Sequence, residues 1–354
     1  MSNENNEAFE AIEGAVHRVG GTVLREVKAK DAIGLRLAHD LTQILPGQFK
    51  GRLFQKGHIV TEADIPLLLD IGKEHIYVMQ LGENELHEDD AAERMAKALA
   101  GSGLKLTEPH EGKVNLKSEL LGLAHVDEAV VRAINDIGEV ALATVKTNAV
   151  LQAGKSIAAT RVIPLIVDKK KVEAVEKLAN EYRTANGGLS PLRVEPFRKL
   201  RIGLLTTGGE VFSGRIEDKF GPAVRSKVEA FGSEIAEQRF APDDRQTIVN
   251  EIHYLLERQY DMILVTGGMS VDPDDRTPGA IKASGATIVS YGTPMLPGSM
   301  LLMGYIGEVP IMGLPGCVMH DPYTSFDALL PRILAGQPIV KDDIVGMGYG
   351  GLLT

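Results

Sequence analysis

Residues 266–281 (TGGMSVDPDDRTPGAI) gather side chains that could hold an anionic ligand and a cation together. The apolar run 262–265 that leads into them reads as a buried strand, and Gly267 with Gly268 lets the backbone approach a bound group closely. Thr277 followed by Pro278 reads as a helix N-cap with proline at the first helical position. Such an end leaves backbone N–H groups facing outward, where they attract anions. Asp272, Asp274 and Asp275 oppose that preference. A divalent cation, Mg²⁺, reconciles the two by bridging acid side chains to ligand oxygens. The plainer alternative is an acidic surface turn built on an Asx motif.

Alternating elements must position these groups. Apolar residues 200–206 form a strand pattern, 222–231 a helix pattern stopped by Gly232, 234–240 a strand, and 245–258 a helix with Ile248, Ile252, Leu255 and Leu256 on one face. After the 262–265 strand come a helix at 278–284 and strands near 287–290, 299–305 and 309–313. Short apolar strands separated by helices imply a largely parallel sheet, with ligands bound beyond the carboxyl ends of its strands. Three glycine-rich turns follow such ends: 206–209 with Thr207 and Gly208, 266–268, and 313–316 with Gly313, Pro315 and Gly316. Together they would line one rim of the sheet.

The N-terminal half reads as α+β. Residues 32–40 suggest a short helix or its end, 47–60 extended segments, 61–69 a helix start, and 76–79 a strand. Helices follow at 89–100, 126–137 and 169–186, with strands at 141–145 and 159–167; by its charge alone the basic run 169–171 suggests a solvated loop, although the amphipathic pattern of the last helix includes it. The expected organisation is a polar segment 1–20, an α+β region 21–190 with a break near 101–112, an α/β domain 195–336 and a tail 337–354. The formal net charge of −10 argues against a broad nucleic-acid or anionic-membrane surface. Residues 1–10 have no export signal, no apolar run reaches spanning length, and a single cysteine rules out an internal disulfide, which together suggest a cytoplasmic protein. His58, His75, His87, His110, His125 and His253 show no mutual ligand spacing. Cys317 sits at an expected helix start, where a thiol pKa tends to fall, and 346–351 reads as a flexible or extended tail.

Taken in order, TTGGEVFSGRIED (206–218), residues 266–281 and GLPG (313–316) resemble the molybdopterin-binding domain shared by molybdopterin molybdenumtransferases, molybdopterin adenylyltransferases, gephyrin and the CinA family. The resemblance spans residues 201–336 and implies an α/β fold. Its C-terminal part would be Rossmann-like, a largely parallel sheet with helices on both faces, joined to the α+β N-terminal region. It implies Asp218 and Asp275 as the acids of the transfer centre, with Asp274 as a further Mg²⁺ ligand. Thr207, Gly208, Gly267, Gly268, Ser270, Thr277, Gly313, Pro315 and Gly316 would frame the pterin and its phosphate. The plainer reading of Asp218 is a cap for the helix beginning near Gly221.

The departures from the family pattern are local. Gly209 stands where an acid or amide is common, Phe220 replaces the usual asparagine, residues 273–276 follow adenylyltransferase or CinA spacing, and residues 317–320 replace N-P-V-S. A weaker resemblance to molybdenumtransferases covers residues 30–40 and 54–65, while their P-x-x-D-x-S-x-x-D-G-Y-A motif and C-terminal barrel have no counterpart. The implied role is molybdenum-cofactor biosynthesis: binding molybdopterin or its adenylate and assisting Mg²⁺-dependent insertion of molybdate, as a homo-oligomer, a dimer in preference to a trimer. Asp64 or residues 113–117 would then add polar groups to the site. An adenylyltransferase or CinA-like nucleotide pyrophosphatase, and a non-catalytic carrier or sensor, are the alternatives.

Overall fold

A computed structural model of the chain describes residues 16–19, 22–45, 49–79, 81–269 and 276–353. Four of the residues singled out above, Ser270, Asp272, Asp274 and Asp275, therefore lie outside the described residues. The chain divides into two compact units, one drawn from Met1–Lys117, Val126–Val145 and Ser156–Leu192, the other from Ser118–His125, Lys146–Lys155 and Arg193–Thr354.

In the first unit, strands Val16–Val19, Thr22–Lys28, His75–Met79 and Arg36–Leu37 lie side by side in that order. Their core holds Val27, Leu37, Phe54, Val60, Leu68, Ile76 and Val78. A second sheet, in the order Val140–Thr144, Ser156–Val162, Lys113–Ser118, Leu104–Leu106, is antiparallel where the Ser156–Val162 strand meets its two neighbours. It packs on the helix Glu88–Leu99, to which Thr160 is tied by a 2.9 Å hydrogen bond from its hydroxyl to the Ala92 carbonyl.

Three local expectations change here. Residues 32–40 form no helix: a single 3-10 turn, Ala29–Asp31, ends before Gly34, whose φ of 83° breaks the helical path. Leu37 N and Ala38 N instead donate to the carbonyls of His58 and Tyr77. Lys169, Lys170 and Lys171 are not loop but the first turn of helix Lys169–Ala185, because Asp168 caps it through Lys170 N, and Lys171 pairs with Glu139 at 2.8 Å. Asp64 is spent locally, accepting at 2.8 Å from His58 Nε2, Thr61 N and the Thr61 hydroxyl.

The second unit alternates as its sequence pattern predicts: β1 (Arg201–Thr207), α1 (Phe220–Glu229), β2 (Glu234–Ala241), α2 (Arg245–Glu257), β3 (Met262–Thr266), α3 (Thr277–Ala283), β4 (Thr287–Tyr291), β5 (Leu302–Ile306), β6 (Val309–Leu314) and α4 (Ser325–Leu334). The sheet order is β2-β1-β3-β6-β5-β4; its first four strands run parallel and the β6-β5-β4 end is an antiparallel meander. This is a doubly wound α/β sheet. Alternation along the strands supplies two cores. Ile202, Leu204, Met262, Leu264 and Met312 face α1 and α4, packing on Val224, Val228, Leu329 and Ile333. Leu205, Ile263, Val265 and Ile311 face α2 and α3, packing on Ile248, Ile252, Leu255 and Ile281.

The C-terminal segment is not a free tail. Lys341–Gly346 forms the short helix α5, Ile344 is buried in the first of these cores, and Leu296 N donates to Gly351 O while Leu353 N donates to Leu296 O. The start of α4 is fixed by charge. Asp327 completes a capping box with Thr324 and accepts from Lys227 Nζ at 2.7 and 2.8 Å, with both side chains mostly buried. Lys227 also donates to the Pro322 carbonyl at 3.0 Å.

Removing Asp327 strips the cap and strands a buried ammonium. Asp327→Ala should thus lower unfolding free energy by about 3 kcal/mol, against about 1 kcal/mol for Lys227→Met, which leaves the capping box intact. Urea unfolding followed by circular dichroism tests the order of the two; a larger loss in Lys227→Met would contradict it.

Candidate functional site

β1 lies between β2 and β3; the chain leaves β1 through α1 on one face and leaves β3 through α3 on the other, which opens a crevice between them at the strands' carboxyl ends. The pairings Thr206↔Thr266 and Thr266↔Leu314 bring the three glycine-rich turns side by side along that edge. A cavity of about 500 Å³ opens there, between the turn after β3 (Gly267, Gly268, Met269) and the turn after β6 (Leu314, Pro315, Gly316, Cys317, Met319). Phe220 at the head of α1 and the loop residues Gly298, Ser299 and Met300 close it.

The expected site residues divide by position. Gly267, Gly268, Pro315 and Gly316 line the cavity. Gly267 and Gly268 have φ of 89° and 54°. A Cβ on Gly267 would run into the Thr207 carbonyl, so this glycine serves the approach of β1 to β3. A Cβ on Gly313 would meet Met269 Sδ at 2.6 Å, which makes it a packing glycine beneath the floor. Gly316 differs: a Cβ there meets nothing within 4 Å, and its backbone faces the open cavity.

Thr207 and Thr277 do not line the cavity; they are buried below it, 3% and 0% exposed. Thr207 Oγ1 donates to the Thr266 carbonyl at 3.1 Å, so in its 3.0 Å contact with Thr277 the Thr277 hydroxyl is the donor. Thr277 is therefore not the N-cap its sequence context suggests. It is the first residue of α3, the Arg276 that precedes it makes no side-chain cap, and its hydroxyl bonds a neighbouring strand instead of its own helix. On the opposite face of the sheet the hydroxyl of Thr266 donates to Thr206 Oγ1 at 3.2 Å. Thr206 also accepts from Gln238 Nε2 at 3.0 Å, and that amide donates to Asp218 Oδ2 at 2.6 Å. Gly208, with φ of 133°, turns the chain after β1, and its N–H donates to the Ala241 carbonyl.

Asp218 is accordingly a cap and an anchor. Its Oδ1 accepts from Phe220 N at 2.9 Å, both of its oxygens accept from Gly221 N, and Gln238 takes what remains. Among the described residues no group of three His, Cys, Asp or Glu side chains is placed to hold a metal ion. Cys317 also departs from expectation: partial burial, helped by the charge of Asp321, pushes its thiol pKa up, and the backbone hydrogen bond within the 3-10 turn Gly316–Met319 is too weak to reverse it.

Sequence reading missed Met269, Met300, Met319, Phe220, Gly298 and Ser299. The three methionines and Cys317 give the cavity a sulfur-rich, polarizable lining. Met269, Phe220 and Met319 had a signal, since they sit within or beside the motifs; the 298–300 loop is distant in sequence and carries none.

Residues 203–335 match the family described as "Probable molybdopterin binding domain", and residues 26–80 match a "Domain of unknown function (DUF8806)". A molybdopterin molybdenumtransferase of Staphylococcus aureus is 25% identical over 130 residues, 35% of this chain and 31% of that protein. A CinA-like protein of Mycobacterium marinum is 30% identical over 77 residues, 22% of this chain and 18% of the other. The matched segments thus span less than a third of these curated relatives. Among solved structures, the molybdopterin biosynthesis enzyme MoaB of Thermus thermophilus aligns over 39% of this chain and 98% of its own, with 25% identity and a TM-score of 0.33. The order of the three turns and the match over residues 203–335 make this segment a member of the molybdopterin-binding domain family that proteins of molybdenum-cofactor biosynthesis share.

Proposed function

We propose that the cavity between the turns after β3 and β6 holds the pterin of molybdopterin or its adenylate, and that the chain serves molybdenum-cofactor biosynthesis by presenting this ligand for molybdate insertion. The observation that carries the reading is the cavity itself. Its lining joins apolar, polarizable side chains, suited to the faces of a flat heterocycle, to the bare backbone of Gly268 and Gly316, suited to its polar edge. When bound, molybdopterin supplies a dithiolene whose two sulfurs take up molybdenum. The chain's own part is to bind and orient: Gly316 gives access to its backbone, Met269, Met300 and Met319 grip the ring, and Phe220 closes one side.

Assistance by Mg²⁺ at Asp218, Asp274 and Asp275 is a further proposal, and the donor set that the described residues offer does not fit it. A carboxylate has about four lone-pair sites, and three donors, Phe220 N, Gly221 N and Gln238 Nε2, already take up most of those of Asp218. Ligating a metal would compete with these structural bonds. This engagement favours a second reading, in which the chain carries or senses the cofactor and inserts nothing. An adenylyltransferase or CinA-like pyrophosphatase would be recognised by its use of a nucleotide.

Two measurements test these readings. Gly316→Val puts its Cβ into open space beside the cavity, whereas Gly267→Val collides with β1 at a positive φ. Calorimetric titration with purified molybdopterin should find Gly316→Val at least about tenfold weaker than wild type, with stability unchanged to within about 0.5 kcal/mol. Gly267→Val should instead lose about 2 kcal/mol or more of stability. Wild-type affinity in Gly316→Val would remove the cavity from consideration.

Turnover separates insertion from carriage. Adenylated molybdopterin is incubated with molybdate and Mg²⁺, and release of the nucleotide is followed. If Asp218 serves insertion, Asp218→Asn should slow release by about a hundredfold while binding changes by less than about threefold. No release by the wild-type chain leaves the carrier reading, and consumption of ATP with unadenylated pterin assigns the adenylyltransferase.

A further inference from the structure

The first unit contains a second cavity, of about 460 Å³, that none of the family motifs accounts for. It opens where the amino end of the helix Glu88–Leu99 meets the 55–57 turn and the end of strand Ser156–Val162, and charges of both signs line it. Asp40, Glu88, Asp89 and Glu111 supply the negative ones, Lys56 and Arg161 the positive ones.

Two of the four acids are already committed. Asp40 accepts from Lys56 N at 2.7 Å and from Arg52 at 3.0 Å, and Asp89 accepts from Gly112 N at 2.7 Å. Glu111 is exposed to solvent, whereas Glu88 is buried and uncommitted. Its residue is 9% exposed, no hydrogen bond reaches its carboxylate among the described residues, and its nearest cation, Lys56 Nζ, stands 4.0 Å away. Arg161 is the matching exception on the positive side: among the described residues its guanidinium makes no ion pair and no hydrogen bond, although its charge acts on Glu88. One cavity therefore presents a buried anion short of donors and a cation short of acceptors.

We propose that this cavity binds a small zwitterion of the free α-amino acid class, its ammonium held by Glu88 and its carboxylate by Arg161 and Lys56. A simple anion would meet four carboxylates on entering, and a simple cation would meet Lys56 and Arg161, so neither satisfies both unmatched groups. A bare metal ion fails for another reason, since no three acid, histidine or cysteine side chains converge among the described residues. The volume falls in the ordinary range of small-molecule sites. Burial drives the Glu88 carboxyl upward even against Lys56 and Arg161, and an ammonium donating to it would relieve that desolvation. Gly112, at φ of 68°, packs over the same side chain, where an added Cβ would lie 3.1 Å from Glu88 Oε2.

Equilibrium dialysis and calorimetry on the full chain test the proposal, with the common L-amino acids as probes and the N-acetyl and amide derivatives of any binder as controls. At least one amino acid should bind saturably with Kd at or below about 1 mM. Both derivatives, each lacking one charge, should bind about tenfold or more weakly. Glu88→Gln and Arg161→Met should each weaken the binder by a similar factor; Arg161 is exposed, so its variant reads binding free of any folding defect. Failure of every amino acid to bind overturns the proposal, as does equal binding of the N-acetyl derivative or an unaffected Arg161→Met.

Discussion

Four threonine hydroxyls buried at the carboxyl ends of β1 and β3 must find partners inside the protein, and the way they do so fixes the candidate site. Thr206, Thr207, Thr266 and Thr277 are each no more than 3% exposed. An unpaired buried hydroxyl costs on the order of 1–3 kcal/mol, so each bond constrains the element that supplies it. Because neighbouring residues of a strand point to opposite faces, Thr206 and Thr207 reach both helical layers at once. One side ties β1 to β3, to Gln238 of β2 and through it to the Asp218 turn; the other ties β1 to the first residue of α3. The rim of the sheet is thereby held from both sides.

Above this polar layer the cavity is apolar and sulfur-lined, and its glycines have separate causes. Gly267 lets two strands approach and Gly313 leaves room for Met269, whereas a side chain at Gly316 would meet no protein atom within 4 Å of its Cβ. The distinction matters because all three belong to similar short motifs. Only Gly316, whose missing side chain opens on empty space at the cavity, has no packing cause of its own. Asp218 is likewise a matter of partners: tied to two backbone amides and Gln238, it holds the head of α1 and hence Phe220 at the cavity wall.

Much of the second unit was legible in the sequence, because buried strands and amphipathic helices carry strong periods, and register then brings the three turns together whatever the loops contain. Residue roles that depend on a distant partner were not. Thr277 has the context of an N-cap, and nothing local says that Thr207 will take its hydroxyl. Gly34 stops a helix pattern that residues 32–40 otherwise support, and the 346–351 glycines look unanchored until Leu296 and Leu353 are seen to pair. Cys317 illustrates the same limit for acidity: a helix start suggests a lowered thiol pKa, but burial and Asp321, brought near by the fold, set the opposite direction. The methionines of the cavity are read locally as ordinary core residues, and only their convergence makes them a lining.

The central claim is that molybdopterin sits between the turns after β3 and β6. Hydrogen–deuterium exchange of the full chain, measured with and without saturating molybdopterin, tests it most directly. Binding there predicts slowed exchange in peptides covering residues 267–269, 298–300 and 314–319, and unchanged exchange in α2, on the far side of its strands from α1 and α4. Saturable binding with no slowing at any of those three segments would contradict the account.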